Sequence, residues 1–108
     1  MSERTEARAT LDKSMSGRGD LQPAVIAHAQ SLGWSCYWTW RSDHSPSGFP
    51  DLVLCRPPRL VIAELKKEGK ELTVKQAEWL DRLMACGIEC HVWRPIDLSS
   101  GLIQAILA

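Results

Sequence analysis

A chain of 108 residues holds one domain around one modest core, and 44% hydrophobic with 24% charged residues is the balance of an ordinary globular protein. No apolar run approaches the roughly 18 residues a membrane span requires, and the acid-containing start Met1-Ser-Glu-Arg-Thr-Glu-Ala-Arg lacks the apolar stretch of a secretion signal. Thirteen basic residues balance thirteen acidic ones, which argues against attachment to nucleic acid by bulk positive charge and leaves room for a local basic patch.

Residues 1–19 are polar and without sustained period, and read as a flexible N-terminal arm ahead of a domain over 20–108. Asp20 suits the cap of a first helix in which an early Pro23 is tolerated, because first-turn amides have no intrahelical partner. Leu21, Val25, His28 and Leu32 recur at helical spacing, with His28 at the edge of the core, and Gly33 supplies the stop.

Trp34 to Trp40 reads as a strand with Trp34, Cys36, Trp38 and Trp40 on one face. Five tryptophans in so small a chain invite base stacking, but burial of this face against a helix, with Trp79 also in the core, is the simpler account. Arg41 to Gly48 is a loop. Two strands follow near 51–55 and 60–66, joined by Arg56-Pro57-Pro58-Arg59.

A turn over 67–72 leads to a second helix from about Val74 to Cys86, with Thr73 and Gln76 in a capping-box pattern and Gly87 at its end. Ile88 to Trp93 forms a last strand that holds His91 as a structural residue, Arg94-Pro95 breaks it, and a short helix closes the chain near 102–107. The order is α-β-β-β-α-β-α, an α/β fold with a mixed central sheet flanked by helices. The cysteines Cys36, Cys55, Cys86 and Cys90 form no C-x-x-C pair and read as buried free thiols; Cys86, Cys90 and His91 offer a zinc site as the rival reading.

The chemistry concentrates in Gly48-Phe-Pro-Asp51 and Ala63-Glu-Leu-Lys66. If the connection over 56–59 is symmetric, Cys55 pairs with Leu60 and Leu54 with Val61, and Asp51 falls opposite Glu64. Directly paired residues share a face with Cβ atoms roughly 4.5–5.5 Å apart, and Lys66 projects from that face too. Facing carboxylates repel unless a cation lies between them. Mg²⁺ (or Mn²⁺) takes one or two carboxylates and leaves the rest to water and phosphate. The carbonyl of Leu65 offers another hard oxygen, and Lys66 is placed to orient or deprotonate a water, or to stabilise charge on phosphate oxygens. An isolated E-x-K is most often an exposed ion pair on an edge strand, and Asp51 alone suits a turn. The agreement of strand, face and order separates this chain from that case. Lys67, Lys70 and Lys75 follow the catalytic strand as candidate phosphate contacts, with a solvated surface as the alternative, and His44 in the preceding loop is a further candidate.

Gly48-Phe-Pro-Asp-Leu-Val-Leu, Ala63-Glu-Leu-Lys and Leu72-Thr-Val-Lys-Gln-Ala-Glu-Trp-Leu together resemble the motifs of the VRR-NUC domain, a family of the PD-(D/E)XK nuclease superfamily. Its short single-domain members occur in phages and bacteria, and the likeness spans about 20–95. The resemblance implies a restriction-endonuclease-like α-β-β-β-α-β core, with Asp51 and Glu64 as metal-binding acids and Lys66 as catalytic lysine. It places Gln76 near the active site, a role that stands beside its helix-capping one. Family members carry an acid early in the first helix; here the nearest residues are Asp20, a metal ligand if it fills that role, and Gln22, which can reach a water or the DNA backbone. The implied activity is Mg²⁺-dependent endonuclease cleavage of branched or structured DNA, as in Holliday-junction resolvases, by a homodimer in the cytoplasm of a bacterial or phage-infected cell. The alternative is a catalytically silent nucleic-acid-binding or assembly module on the same fold.

Overall fold

A computed structural model describes residues 18–39 and 43–108, with side chains from Asp20 onward. Helix α1 (Arg18–Ser31) is followed by strands β1 (Ser35–Trp38), β2 (Leu52–Arg56) and β3 (Arg59–Leu65), helix α2 (Val74–Ala85), strand β4 (Glu89–Trp93) and the short helices α3 (Pro95–Ser99) and α4 (Leu102–Leu107). The four strands form one sheet in the order β1-β2-β3-β4. The pairs β1–β2 and β2–β3 are antiparallel, and β3–β4 is parallel. The parallel pair needs a crossover, and α2 provides it. This is the mixed sheet with flanking helices that the element order implies. No described helix is long and apolar enough to cross a membrane.

Residues 1–17 of the N-terminal arm, and Trp40 in the expected first strand, lie outside the described residues. The first helix starts at Arg18, ahead of Asp20, so Asp20 sits in its first turn rather than at its cap. Pro23 is therefore inside the helix, where it forgoes one bond to the preceding turn. Leu21, Val25 and Ala29, each one turn apart, are fully buried. Ala29, not His28, completes the stripe, and His28 is half-buried beside it.

Strand alternation divides the sheet into two unlike faces. Leu52, Leu54, Val61, Ala63, Leu65 and Trp93 join the α1 stripe, Trp34 and the buried residues Leu98, Ile103 and Leu107 of α3 and α4 in a single apolar cluster. Burial of each valine, leucine or isoleucine side chain among them contributes roughly 1.5–3 kcal/mol. Trp34 is held further by a 2.9 Å bond from Nε1 to the Leu107 carbonyl and by the Arg56 guanidinium 4.6 Å above its ring. The other face carries Asp51, Val53, Ile62 and Glu64. Helix α2 packs beside β4, and its Leu80 is buried.

Helix α3 follows directly on Arg94-Pro95, where the sequence reads as a break. Proline occupies its first turn, and Asp97 Oδ2 accepts the Arg94 amide at 2.8 Å. Cys36, Cys55 and Cys90 are half-buried and Cys86 is exposed, so the thiols are free but not fully buried. The zinc reading of Cys86, Cys90 and His91 does not match the geometry. Cys90 and His91 are consecutive in β4 and face opposite sides, while His91 stacks on Trp93 and pairs with Glu89 at 2.8 Å.

Candidate active site

The hairpin β2–β3 turns tightly through Pro57-Pro58, with Arg56 opposite Arg59, Cys55 opposite Leu60 and Leu52 opposite Ala63. The ladder continues one pair nearer the turn than a four-residue loop allows, but its centre, and hence its register, is unchanged. One further step along it sets Asp51 opposite Glu64. The side chains confirm the approach: the two carboxyl groups hydrogen-bond, and Glu64 also accepts from the Asp51 backbone amide. Asp51 is 8% and Glu64 3% exposed.

Asp51 Oδ2 accepts the Leu65 amide at 2.8 Å. The N–H and C=O of a strand residue point to the same side, so the Leu65 carbonyl is directed toward the Asp51 side as well. Lys66 N–H bonds instead to the Trp93 carbonyl at 2.9 Å, as alternation along β3 requires. The Lys66 side chain lies on the carboxylate face, close enough for its ammonium to act on Glu64.

Burial pushes the Glu64 carboxyl up, and the facing Asp51 carboxyl pushes it further through charge and a shared hydrogen bond. Lys66 and the Asp51 amide pull it partly back, which leaves it at about 8. Glu64 Oε1 is buried without a hydrogen-bond partner among the described residues. An acid with an orphaned buried oxygen, next to a second acid, is a place built to receive positive charge.

The loop that delivers Asp51 is fixed against α2. A Cβ at Gly48, which has a φ of +91°, would lie 2.7 Å from the Lys75 backbone. Phe49 meets Trp79 edge-to-face with ring centroids 5.0 Å apart. Between this loop and α2 lies a cavity of about 230 Å³, lined by Thr39, the loop 45–49, Asp51 and Gln76. Gln76 caps the helix and also lines this cavity. Its Oε1 accepts the Thr73 amide at 2.9 Å and its own amide donates to Thr73 Oγ1 at 3.2 Å, while the residue lines the cavity beside Asp51. The cap occupies the amide oxygen, so the NH₂ is the end left to face a ligand.

The remaining candidates divide. Lys67, Lys70 and Lys75 are exposed; the Lys75 backbone abuts Gly48, and the Lys70 carbonyl accepts from Arg94 at 2.6 Å. His44 is exposed and pairs with Asp43 at 3.6 Å, outside the cavity lining. Gln22 lines a separate groove with Pro23, Ile26 and Trp38, and the Asp51 cavity does not include it. Among the described residues no third His, Cys, Asp or Glu gathers with Asp51 and Glu64 into a metal-holding group, so Asp20, exposed in α1, is not brought to them. Phe49 and Thr39 join the cavity unforeseen. Phe49 stands inside the Gly48-Phe-Pro-Asp51 segment, and its place next to the acid was the available signal; Thr39 follows a strand whose end carried none.

No curated protein and no solved structure matches this chain. The sequence profile of the VRR-NUC domain matches residues 11–95, a span that takes in the hairpin, the acid pair, Lys66 and the cavity wall formed by α2. The chain therefore belongs to the VRR-NUC family of PD-(D/E)XK-like nuclease domains.

Proposed function

We propose that this nuclease domain hydrolyses DNA phosphodiester bonds as a Mg²⁺- or Mn²⁺-dependent endonuclease acting on branched or otherwise structured DNA. The observation that carries the reading is the buried Asp51–Glu64 pair with an orphaned Glu64 oxygen and Lys66 beside it. The donor set fits a hard divalent cation: two carboxylates and the carbonyl of Leu65 are all oxygen, and Mg²⁺ with so few protein ligands leaves positions for water and phosphate. Such a cation supplies Lewis acidity to the scissile phosphate and a more acidic water.

The chain's own groups do the rest. Asp51, anchored by the Leu65 amide, and Glu64 fix where the phosphate is held. The Lys66 ammonium orients the attacking water or stabilises charge that develops on the phosphate oxygens. The Gln76 amide, rigid in its cap, donates to the water or to a phosphate oxygen. Lys67, Lys70 and Lys75 attract the backbone on either side, and His44 and Gln22 serve only as peripheral contacts. The preference for branched DNA comes from the family resemblance. One chain presents one such site, so symmetric cutting of two strands calls for a homodimer.

The test is cleavage of labelled linear, flapped and four-way DNA with and without Mg²⁺. Cutting that requires the cation and is strongest on the branched substrates supports the proposal. Binding with no metal-dependent cutting makes the chain a silent DNA-binding module instead.

A further inference from the structure

The row of residues that carries the acids leads to an exposed aromatic ring that the chemistry above does not use. Tyr37 in β1 pairs with Val53 in β2. Its ring therefore projects from the face that carries Val53 and, two residues along, Asp51. Diagonal neighbours of this kind lie roughly 7–8 Å apart, within reach of an aromatic side chain. Thr39, the next residue of the chain on that side, already lines the cavity with Asp51 and Gln76. The surface is thus continuous from the cavity to the ring.

Tyr37 is 61% exposed, although its neighbours across the sheet are apolar: Val53 is half-buried and Ile62 4% exposed. Among the described residues the indoles are placed otherwise, Trp79 edge-to-face on Phe49. Trp34 and Trp93 are in the core, and Trp38, next in the strand, turns to the opposite face. A ring held by a rigid strand next to a phosphate site offers a nucleic acid one thing above all, a flat surface on which a base can stack. Bases inside a duplex already stack on each other, so the ring is open only to a base that is unpaired or extruded.

We infer that Tyr37 stacks on an unpaired nucleotide next to the scissile phosphate and is a specificity-determining residue for DNA with a single-stranded element at the branch. The inference rests on the nuclease reading of the same site and deepens it. Continuity with the cavity favours a nucleotide over a protein partner as the occupant.

The experiment uses the full chain carrying Glu64→Gln, to suppress cutting, with Mg²⁺ present. A flapped DNA carries 2-aminopurine at the first unpaired nucleotide, and a blunt duplex carries the same reporter. Tyr37 and Tyr37→Phe are expected to quench the flap reporter. Tyr37→Ala and Tyr37→Leu, the latter retaining apolar bulk without a π face, are expected to lose quenching and to bind the flap about tenfold more weakly, with less than about a twofold change on the duplex. Undiminished quenching in both aliphatic variants, or equal weakening on both DNAs, overturns the inference. So does a loss of dimer in sedimentation that leaves flap binding intact, since the ring then belongs to a protein contact. Cleavage by the unsubstituted chain is read separately. Tyr37-dependent flap binding without cleavage sinks the nuclease reading alone, and cleavage with no Tyr37 dependence sinks this inference alone.

Discussion

The Leu65 amide donates to Asp51 Oδ2 at 2.8 Å, so the carboxylate at the head of β2 is anchored to the backbone of the strand that carries Glu64. This bond thus ties the first acid to the strand of the second, beside the register that already sets them opposite. It also separates the roles of Asp51. Asp51→Asn keeps an oxygen for the Leu65 amide but removes the charge, and is expected to retain the fold while losing cleavage. Asp51→Ala removes the acceptor too and leaves a buried N–H unpaired, which costs about 1–3 kcal/mol relative to asparagine. Both substitutions remove the Asp51 charge, and alanine alone removes the side-chain bonds to the Leu65 amide and the Glu64 carboxyl, so their difference in urea unfolding reports these bonds together. Equal stabilities would show that these bonds contribute nothing.

Glu64→Gln removes the second acid with little change of volume. If the pair holds a cation that supplies several kcal/mol of transition-state stabilisation, cleavage falls on the order of a thousandfold. Stability without cation is expected to hold, because the glutamine amide can donate to Asp51 as the protonated Glu64 carboxyl does. Single-turnover cleavage and thermal unfolding on the same sample check both halves. Full activity in this variant would end the assignment.

The Glu64 carboxyl keeps its proton up to about pH 8 in the fold, against an ordinary 4.5. Between those values the folded chain binds more protons than the unfolded one, so its stability falls as pH rises. This contribution is fully present below the unfolded value and is lost as pH passes about 8. Cation-free melting temperature is therefore expected to drop between pH 5 and pH 9 more steeply for the natural sequence than for Glu64→Gln. A divalent cation, which competes with that proton, stabilises more at the alkaline end. Parallel slopes in the two proteins by scanning fluorimetry would refute the linkage.

The Lys66 ammonium pulls the Glu64 carboxyl down against the larger upward effects. Lys66→Met keeps the stem and removes the charge, so Glu64 binds its proton still more firmly. Loss of a group that handles the attacking water lowers cleavage by roughly 10²–10⁴-fold. Flapped-DNA affinity changes far less, because Lys67, Lys70 and Lys75 remain exposed on the elements that follow. A parallel collapse of binding and rate would make Lys66 a phosphate anchor rather than a catalytic group.

The acid pair was legible in the sequence because a hairpin's register depends only on the centre of its turn. Pro57-Pro58 is that centre whether the loop is counted as two residues or four. The period of α1 was legible, but not which neighbour of the stripe faces inward: His28 and Ala29 are adjacent, and only packing selects the smaller residue. Helix α3 was missed although Pro95 at a helix start and Asp97 behind Arg94 are local signals, because proline after a strand reads first as an ending. Gln22 was placed by its position early in the first helix and His44 by its nearness to Gly48, and the groove and loop that hold them are set by tertiary packing that no spacing records.

Gly48 offers a test of how the loop positions the acid. Its φ of +91° already disfavours any L side chain, and an added Cβ would meet the Lys75 carbonyl carbon and oxygen at 2.7 and 2.8 Å. Those are backbone atoms of the first turn of α2, which the Thr73–Gln76 capping box holds in place, so the loop must move instead of the helix. Movement carries Phe49 off Trp79 and displaces Asp51 from Leu65. Gly48→Ala is therefore expected to destabilise by more than about 1 kcal/mol, and to reduce cleavage more than flapped-DNA binding. Since the substitution touches no acid and no amine, an active and fully stable Gly48→Ala protein would show that the contact with α2 does not set the acid pair.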